Sequence, residues 1–273
     1  VFECVVNISE GRDRSVLDEL SQVVTSSLRD RHTDRFHNRS VFTLINRRGA
    51  LVNDVQLLVR AAFERLDLRN HEGVHPRFGV VDVVPFVALA SSERSEAVTM
   101  RDETAQWISN TFHVPSFLYG PVKGATRTLP QVRRDAFGAT PPDFGPTAPS
   151  PTLGAVAVGA RPVLVAWNIW LSNVSLRETR DIAAAVRQPA VRAMGFELGD
   201  QTQISCNLID PEGVGPSEVY DEVQRLLPAT GTIERAELVG LLPQSVLDAE
   251  NSGRWDELGL SPQQTIERWL PRD

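Results

Sequence analysis

Residues 66–86, LDLRNHEGVHPRFGVVDVVPF, carry the densest set of groups able to do chemistry. His71, Glu72 and His75 have the spacing of an HExxH zinc site, in which two histidines one helical turn apart hold the metal and the glutamate activates its water. That chemistry needs an unbroken helix, and the local sequence opposes one. Gly73 inside the motif costs about 1 kcal/mol relative to Ala in a helix. Pro76 pushes His75 out of the α region. Val80, Val81, Val83, Val84, Phe86 and Val87 then continue as a strand. A zinc hydrolase is therefore the lesser alternative, and His75 is expected in a turn entering a strand. With an unperturbed pKa of roughly 6.5, a histidine there suits a general acid/base that accepts and returns a proton.

Of 28 basic residues only Lys123 is a lysine. Schiff-base and P-loop chemistry would both fall to it, and Gly120-Pro-Val-Lys-Gly124 suits neither. Arginine favours two-point capture of carboxylates, with Arg39, Arg77, Arg127 and Arg133 as candidates. Asn7, Ser9, His37, Asn38 and Asn168 are candidate polar contacts near strand ends. For each of these, a satisfied turn or core role is the competing reading. Nothing in the spacing of His32, His37, His71 and His75 forces a metal site.

The elements that must position these groups belong to a chain of 273 residues, 41% hydrophobic and 23% charged, with a net charge of −7. That balance suits a globular protein and argues against a nucleic-acid binder working through a global basic field. Two cysteines, Cys4 and Cys206, fall short of a disulfide framework and are expected as buried, inert thiols. No apolar run or leader pattern points to a membrane or to export, so a cytoplasmic location is expected.

Hydrophobic periodicity predicts alternating strands and helices. Strands are expected at 2–8, 40–45, 80–89 and 116–119, and helices at 14–28, 52–66 and 93–112. The second half reads as strands at 155–158 and 163–169, then a helix over 176–191 interrupted near Pro189. Paired strands around 196 and 204–209, a helix from 214, a strand over 233–241 and two short helices complete it. The expected fold class is α/β, with two α/β subdomains at 1–160 and 161–273. Between them lies GATPPDFGPTAPSPTLG, 138–154, whose five prolines and three glycines rule out a helix or central strand. Its single charge, Asp143, sets a ligand-binding loop against an interdomain linker as equal readings.

Several segments, in order along essentially the whole chain, resemble the glutamate formiminotransferase family, whose domain also begins formiminotransferase-cyclodeaminase. They are Glu3-Cys-Val-Val-Asn-Ile-Ser-Glu-Gly11 (the family has Pro where Val6 stands), His37-Asn-Arg-Ser-Val-Phe-Thr43, Asp67–Gly79, Asp82-Val-Val-Pro-Phe86, Leu118-Tyr-Gly120, Pro142-Asp-Phe-Gly-Pro146, Asn207-Leu208 and Leu238-Val-Gly-Leu-Leu-Pro243. The resemblance implies transfer of a formimino group from N-formimidoylglutamate to N5 of tetrahydrofolate, a co-substrate, with no metal. It implies two mixed sheets facing each other across a folate tunnel, helices outside, in a cytoplasmic homodimer without nucleic-acid or membrane partners.

By the same resemblance His75 is the catalytic histidine, and Gly145, Pro146, Thr147, Ala148, Pro149, Ser150, Pro151, Thr152, Leu153 and Gly154 form the folate-binding loop. The chain ends before a cyclodeaminase domain could begin, so that second activity is expected to be absent. One position departs from the family. Asn168-Ile-Trp-Leu171 has an indole where the family carries a second asparagine, which leaves open a divergent folate-binding protein with another donor or none.

Overall fold

The computed structural model describes residues 1–74, 77–90 and 93–270. Among them are two compact units, Val1–Pro162 with Leu270, and Val163–Trp269. The class is α/β throughout.

The first unit is built on a seven-stranded mixed sheet. Its strands are β1 (Phe2–Ile8), β2 (Leu28–Asp34), β3 (Arg39–Asn46), β4 (Val81–Ala88), β5 (Ser116–Val122), β6 (Ala125–Arg127) and β7 (Val156–Ala160), in the order β2-β3-β1-β4-β7-β5-β6. β7 lies between β4 and β5 and is parallel to both, while the remaining pairings are antiparallel. Strand alternation sends Cys4, Val6 and Ile8 into a core with Leu17 and Leu20 of helix α1 (Arg14–Gln22), Leu51, Val55 and Leu58 of α2 (Arg48–Arg65), and Met100 and Ile108 of α3 (Arg94–Phe112). On the other face, Val132 of α4 (Leu129–Asp135) packs with Val83, Phe117, Tyr119 and Ala157.

The second unit holds a four-stranded antiparallel sheet, β11-β8-β10-β9, from β8 (Val165–Ser172), β9 (Val191–Leu198), β10 (Gln201–Leu208) and β11 (Thr232–Val239). Val165, Trp167, Ile169 and Leu171 meet Ile182 of α5 (Leu176–Ala185), Val219 and Val223 of α6 (Pro216–Leu226), Val246 of α7 (Gln244–Ala249) and Leu258 of α8 (Trp255–Leu258).

Two expectations are corrected and one open choice is narrowed. The helix expected over 14–28 stops at Gln22, and Leu28–Asp34 is an edge strand whose polar residues hide it from a hydrophobicity reading. The helix expected over 176–191 ends at Ala185, because the chain turns at Gln188–Val191 and enters β9. The Pro-rich window is no spacer. Ser116 and Phe144 form a bridge, and Leu153 O and Thr152 O accept from Val80 and Leu68, so the window is stitched onto the first unit. Both cysteines are buried and unpaired, as expected. His113 ends α3 in the left-handed conformation, its N–H bonded to Ser109 O. No described helix is long and apolar enough to cross a membrane.

Glu3 sits between core residues of β1, only 3% exposed, and burial pushes its carboxyl up to about 7, with Arg161 opposing. Its folded-state pKa exceeds the unfolded one. The stabilisation it contributes is therefore complete below the ordinary carboxyl range and is lost as pH rises through about 7. Relative to wild type, Glu3→Gln is expected to gain on the order of 1–3 kcal/mol between pH 5 and pH 8. Urea unfolding midpoints of both proteins at the two pH values measure this; parallel changes would remove Glu3 as the cause.

Candidate active site

Three connecting segments of the first unit converge at one end of β1, β3 and β4, and glycines let their backbones touch. A Cβ on Gly11 would come within 2.2 Å of Asp34 O, and one on Gly73 within 2.3 Å of His37 O. Asn38 joins all three from the left-handed conformation (φ 48°). Its Oδ1 accepts from Gly11 N–H at 2.8 Å and its Nδ2 donates to Glu72 O at 3.0 Å. Ser9 Oγ donates to Gly79 O at 2.7 Å.

These segments border a small cleft of about 180 Å³, a volume that includes open solvent, lined by Ser9, His37, Asn38, Arg39, His71, Arg77 and Asp82. The β1–β4 pairing slips here: Asn7 faces Val83 while Ile8 faces Val81, so Asp82 is the extra residue of a bulge. Bulges re-aim side chains. This one sends a carboxylate, 1% exposed, toward Arg133, whose guanidinium donates to it at 2.5 Å. Phe78 N–H donates to its other oxygen at 2.6 Å. Arg39 is half-buried, donates to Asn7 Oδ1 at 2.6 Å, and is held below the usual arginine value by desolvation, with Asp82 opposing.

His71 Nε2 lies 2.7 Å from Asn38 O. A carbonyl only accepts, so Nε2 carries the hydrogen and the lone pair of the neutral ring falls on Nδ1. Burial holds His71 below the ordinary histidine range; the bond to Asn38 opposes this and Arg77 adds to it. Arg77 donates to Gly73 O at 3.2 Å and to His71 O at 3.0 Å, fixing the segment it belongs to. The imidazole of His37 is buried, 3.9 Å from Asp34 Oδ2.

Of the residues nominated from sequence, Ser9, His37, Asn38, Arg39 and Arg77 come together around this space, and Asn7 and Arg133 are bonded to its walls. His75 lies outside the described residues. Arg127 is not at the pocket; it donates to Asp143 at 2.7 Å, below Leu118. The 145–154 loop does not line the pocket, although Gly154 and Gly79 bridge beside it. Asn168 belongs to the second unit. It shares a sheet face with Trp170, and both donate to Glu237 Oε1, at 3.2 and 2.8 Å, with Arg235 stacked 4.0 Å over the indole. Trp170 therefore points away from the Trp167 core, as Asn168 does. His71–Val74 form no helix, which removes the scaffold an HExxH zinc site requires.

Two pocket residues, Asp82 and His71, lie outside the set expected from sequence. Asp82 carried a signal, a lone carboxylate in the run Val80–Val87. His71 shows in sequence only the spacing of a metal ligand, and its tautomer depends on a carbonyl 33 residues away.

Comparison with known proteins supplies the family. Residues 1–161 match the formiminotransferase domain, N-terminal subdomain. Formimidoyltransferase-cyclodeaminase of Rattus norvegicus is 33% identical over 91% of this chain and 51% of its own length. Glutamate formimidoyltransferase of Streptococcus pyogenes serotype M1 is 31% identical over 90% of each chain, and that of Thermoplasma acidophilum 30% identical over 90% of this chain and 89% of its own. The chain thus spans about half the length of the cyclodeaminase relatives and nine-tenths of the other two. On this match and these identities, the chain belongs to the formiminotransferase family.

Proposed function

We propose that this chain is a cytoplasmic glutamate formimidoyltransferase, moving the formimino group of N-formimidoylglutamate to N5 of tetrahydrofolate and releasing glutamate. The observation that carries the reading is a pocket joining guanidinium groups to imidazoles in a chain that covers nine-tenths of relatives bearing that name. Attack by N5 on the formimino carbon passes through a tetrahedral adduct, and one proton must travel from the attacking to the departing nitrogen. His75 is assigned this transfer as general acid/base. Both substrates are carboxylates; Arg39 and Arg77 supply positive charge at the pocket, and the 145–154 loop is assigned to folate.

The test mixes the protein with tetrahydrofolate and N-formimidoylglutamate and quantifies 5-formimidoyltetrahydrofolate and glutamate. Stoichiometric appearance of both supports the reading. Folate binding without either product would transfer the assignment to a divergent folate-binding protein, with the Trp170–Glu237 pair as the first place to look for altered specificity.

A further inference from the structure

His71 is tied down more tightly than a surface turn requires. Its carbonyl and that of Gly73 each accept from Arg77, Glu72 O accepts from Asn38, and its own Nε2–H is committed to Asn38 O. Yet Nδ1 is buried and has no hydrogen-bond partner among the described residues. A histidine serving only to pin two segments would be expected to expose or bond its second nitrogen, because a buried, unbonded acceptor is costly. The ring lines the pocket. Arg77 and Arg12 disfavour the imidazolium and Glu10 favours it, while Arg39, Asp82 and His37 are the other titratable groups lining the pocket.

We propose that His71 is a second proton acceptor of this pocket, presenting Nδ1 of a neutral, tautomer-fixed imidazole to the substrate amine that loses its proton. The proposal rests on the formimidoyltransferase reading for the identity of that amine. N5 of tetrahydrofolate donates its electron pair to the formimino carbon, and the C=N π pair moves to the terminal nitrogen. N5, now cationic, releases its proton to Nδ1, and the imidazolium keeps its Nε2–H on Asn38 O. The π bond re-forms as the carbon–nitrogen bond to glutamate breaks, and a proton ends on the departing glutamate nitrogen. His71 takes the proton from N5 and His75 protonates the leaving nitrogen, the two imidazoles returning to their starting protonation states through solvent.

The test uses His71→Gln, whose amide can still donate to Asn38 O but offers no basic site. Expected are a loss of about 100-fold in kcat, folate affinity within threefold of wild type, and disappearance of the low-pH limb of the kcat profile assigned to His71. A kcat within threefold of wild type with that limb intact would overturn the proposal. A second measurement needs no turnover: ¹⁵N NMR of the histidine rings in the wild-type protein. Hydrogen on Nε2, and an Nδ1 resonance that moves when tetrahydrofolate is added, support the acceptor. Hydrogen on Nδ1, or an unmoved resonance, overturns it. If the wild type fails to transfer the formimino group, the functional reading falls, and the NMR result alone decides whether His71 accepts from bound folate.

Discussion

Asp82→Ala is expected to destabilise the first unit by about 3–5 kcal/mol, the usual cost of removing one member of a buried ion pair. The carboxylate is 1% exposed and bonded at once to Arg133 and to Phe78 N–H. Its loss leaves Arg133 and the half-buried Arg39 without their shared counter-charge, and opens the bulge that shapes the pocket floor. Asp82→Asn keeps an acceptor for Phe78 and should fall between wild type and Ala. Urea unfolding checks this through a lowered midpoint at unchanged slope. A change below about 1 kcal/mol would mean the two arginines do not depend on Asp82.

The largest catalytic effect is expected at the second imidazole. His75→Ala should lower kcat by about 10²–10⁴-fold, the range for removing one positioned acid/base, while KM stays within a few-fold. A group that works on the transferring proton acts in the transition state, and uniform binding is not its task. Steady-state kinetics, beside a folate-binding titration to show an intact site, separates the two. A fall of less than tenfold would pass the proton transfer to His71.

Strand and helix periodicity made most of this chain legible, because cores such as Cys4-Val6-Ile8 or Trp167-Ile169-Leu171 alternate in the sequence itself. Leu28–Asp34 escaped because an edge strand of charged and polar residues has no apolar face, and its identity is set by pairing with β3. α4 was missed although its signals are present: Thr128 and Gln131 form a capping box around Pro130. At the site, residue types were readable and bonds were not. Arg77 looks like a carboxylate clamp in sequence, but in the structure it also braces the backbone of its own segment. Arg127 looks the same and is held by Asp143, which lies in the Pro-rich window. Long-range partners of this kind leave no periodic trace.

The position of β7 also governs when the first unit can form. Without residues 156–160 the sheet is two separate pieces, β2-β3-β1-β4 and β5-β6, each with an unpaired inner edge. A nascent chain must therefore carry those edges until the ribosome has released the last strand. From the end of β4 at Ala88 to the end of β7 at Ala160 this is roughly 4–14 s of synthesis at about 5–20 residues per second. During that interval Val81–Ala88 and Ser116–Val122 offer hydrophobic edges to any other strand nearby. Yield of correctly folded protein should consequently respond to translation speed and chaperone supply more than its final stability would suggest.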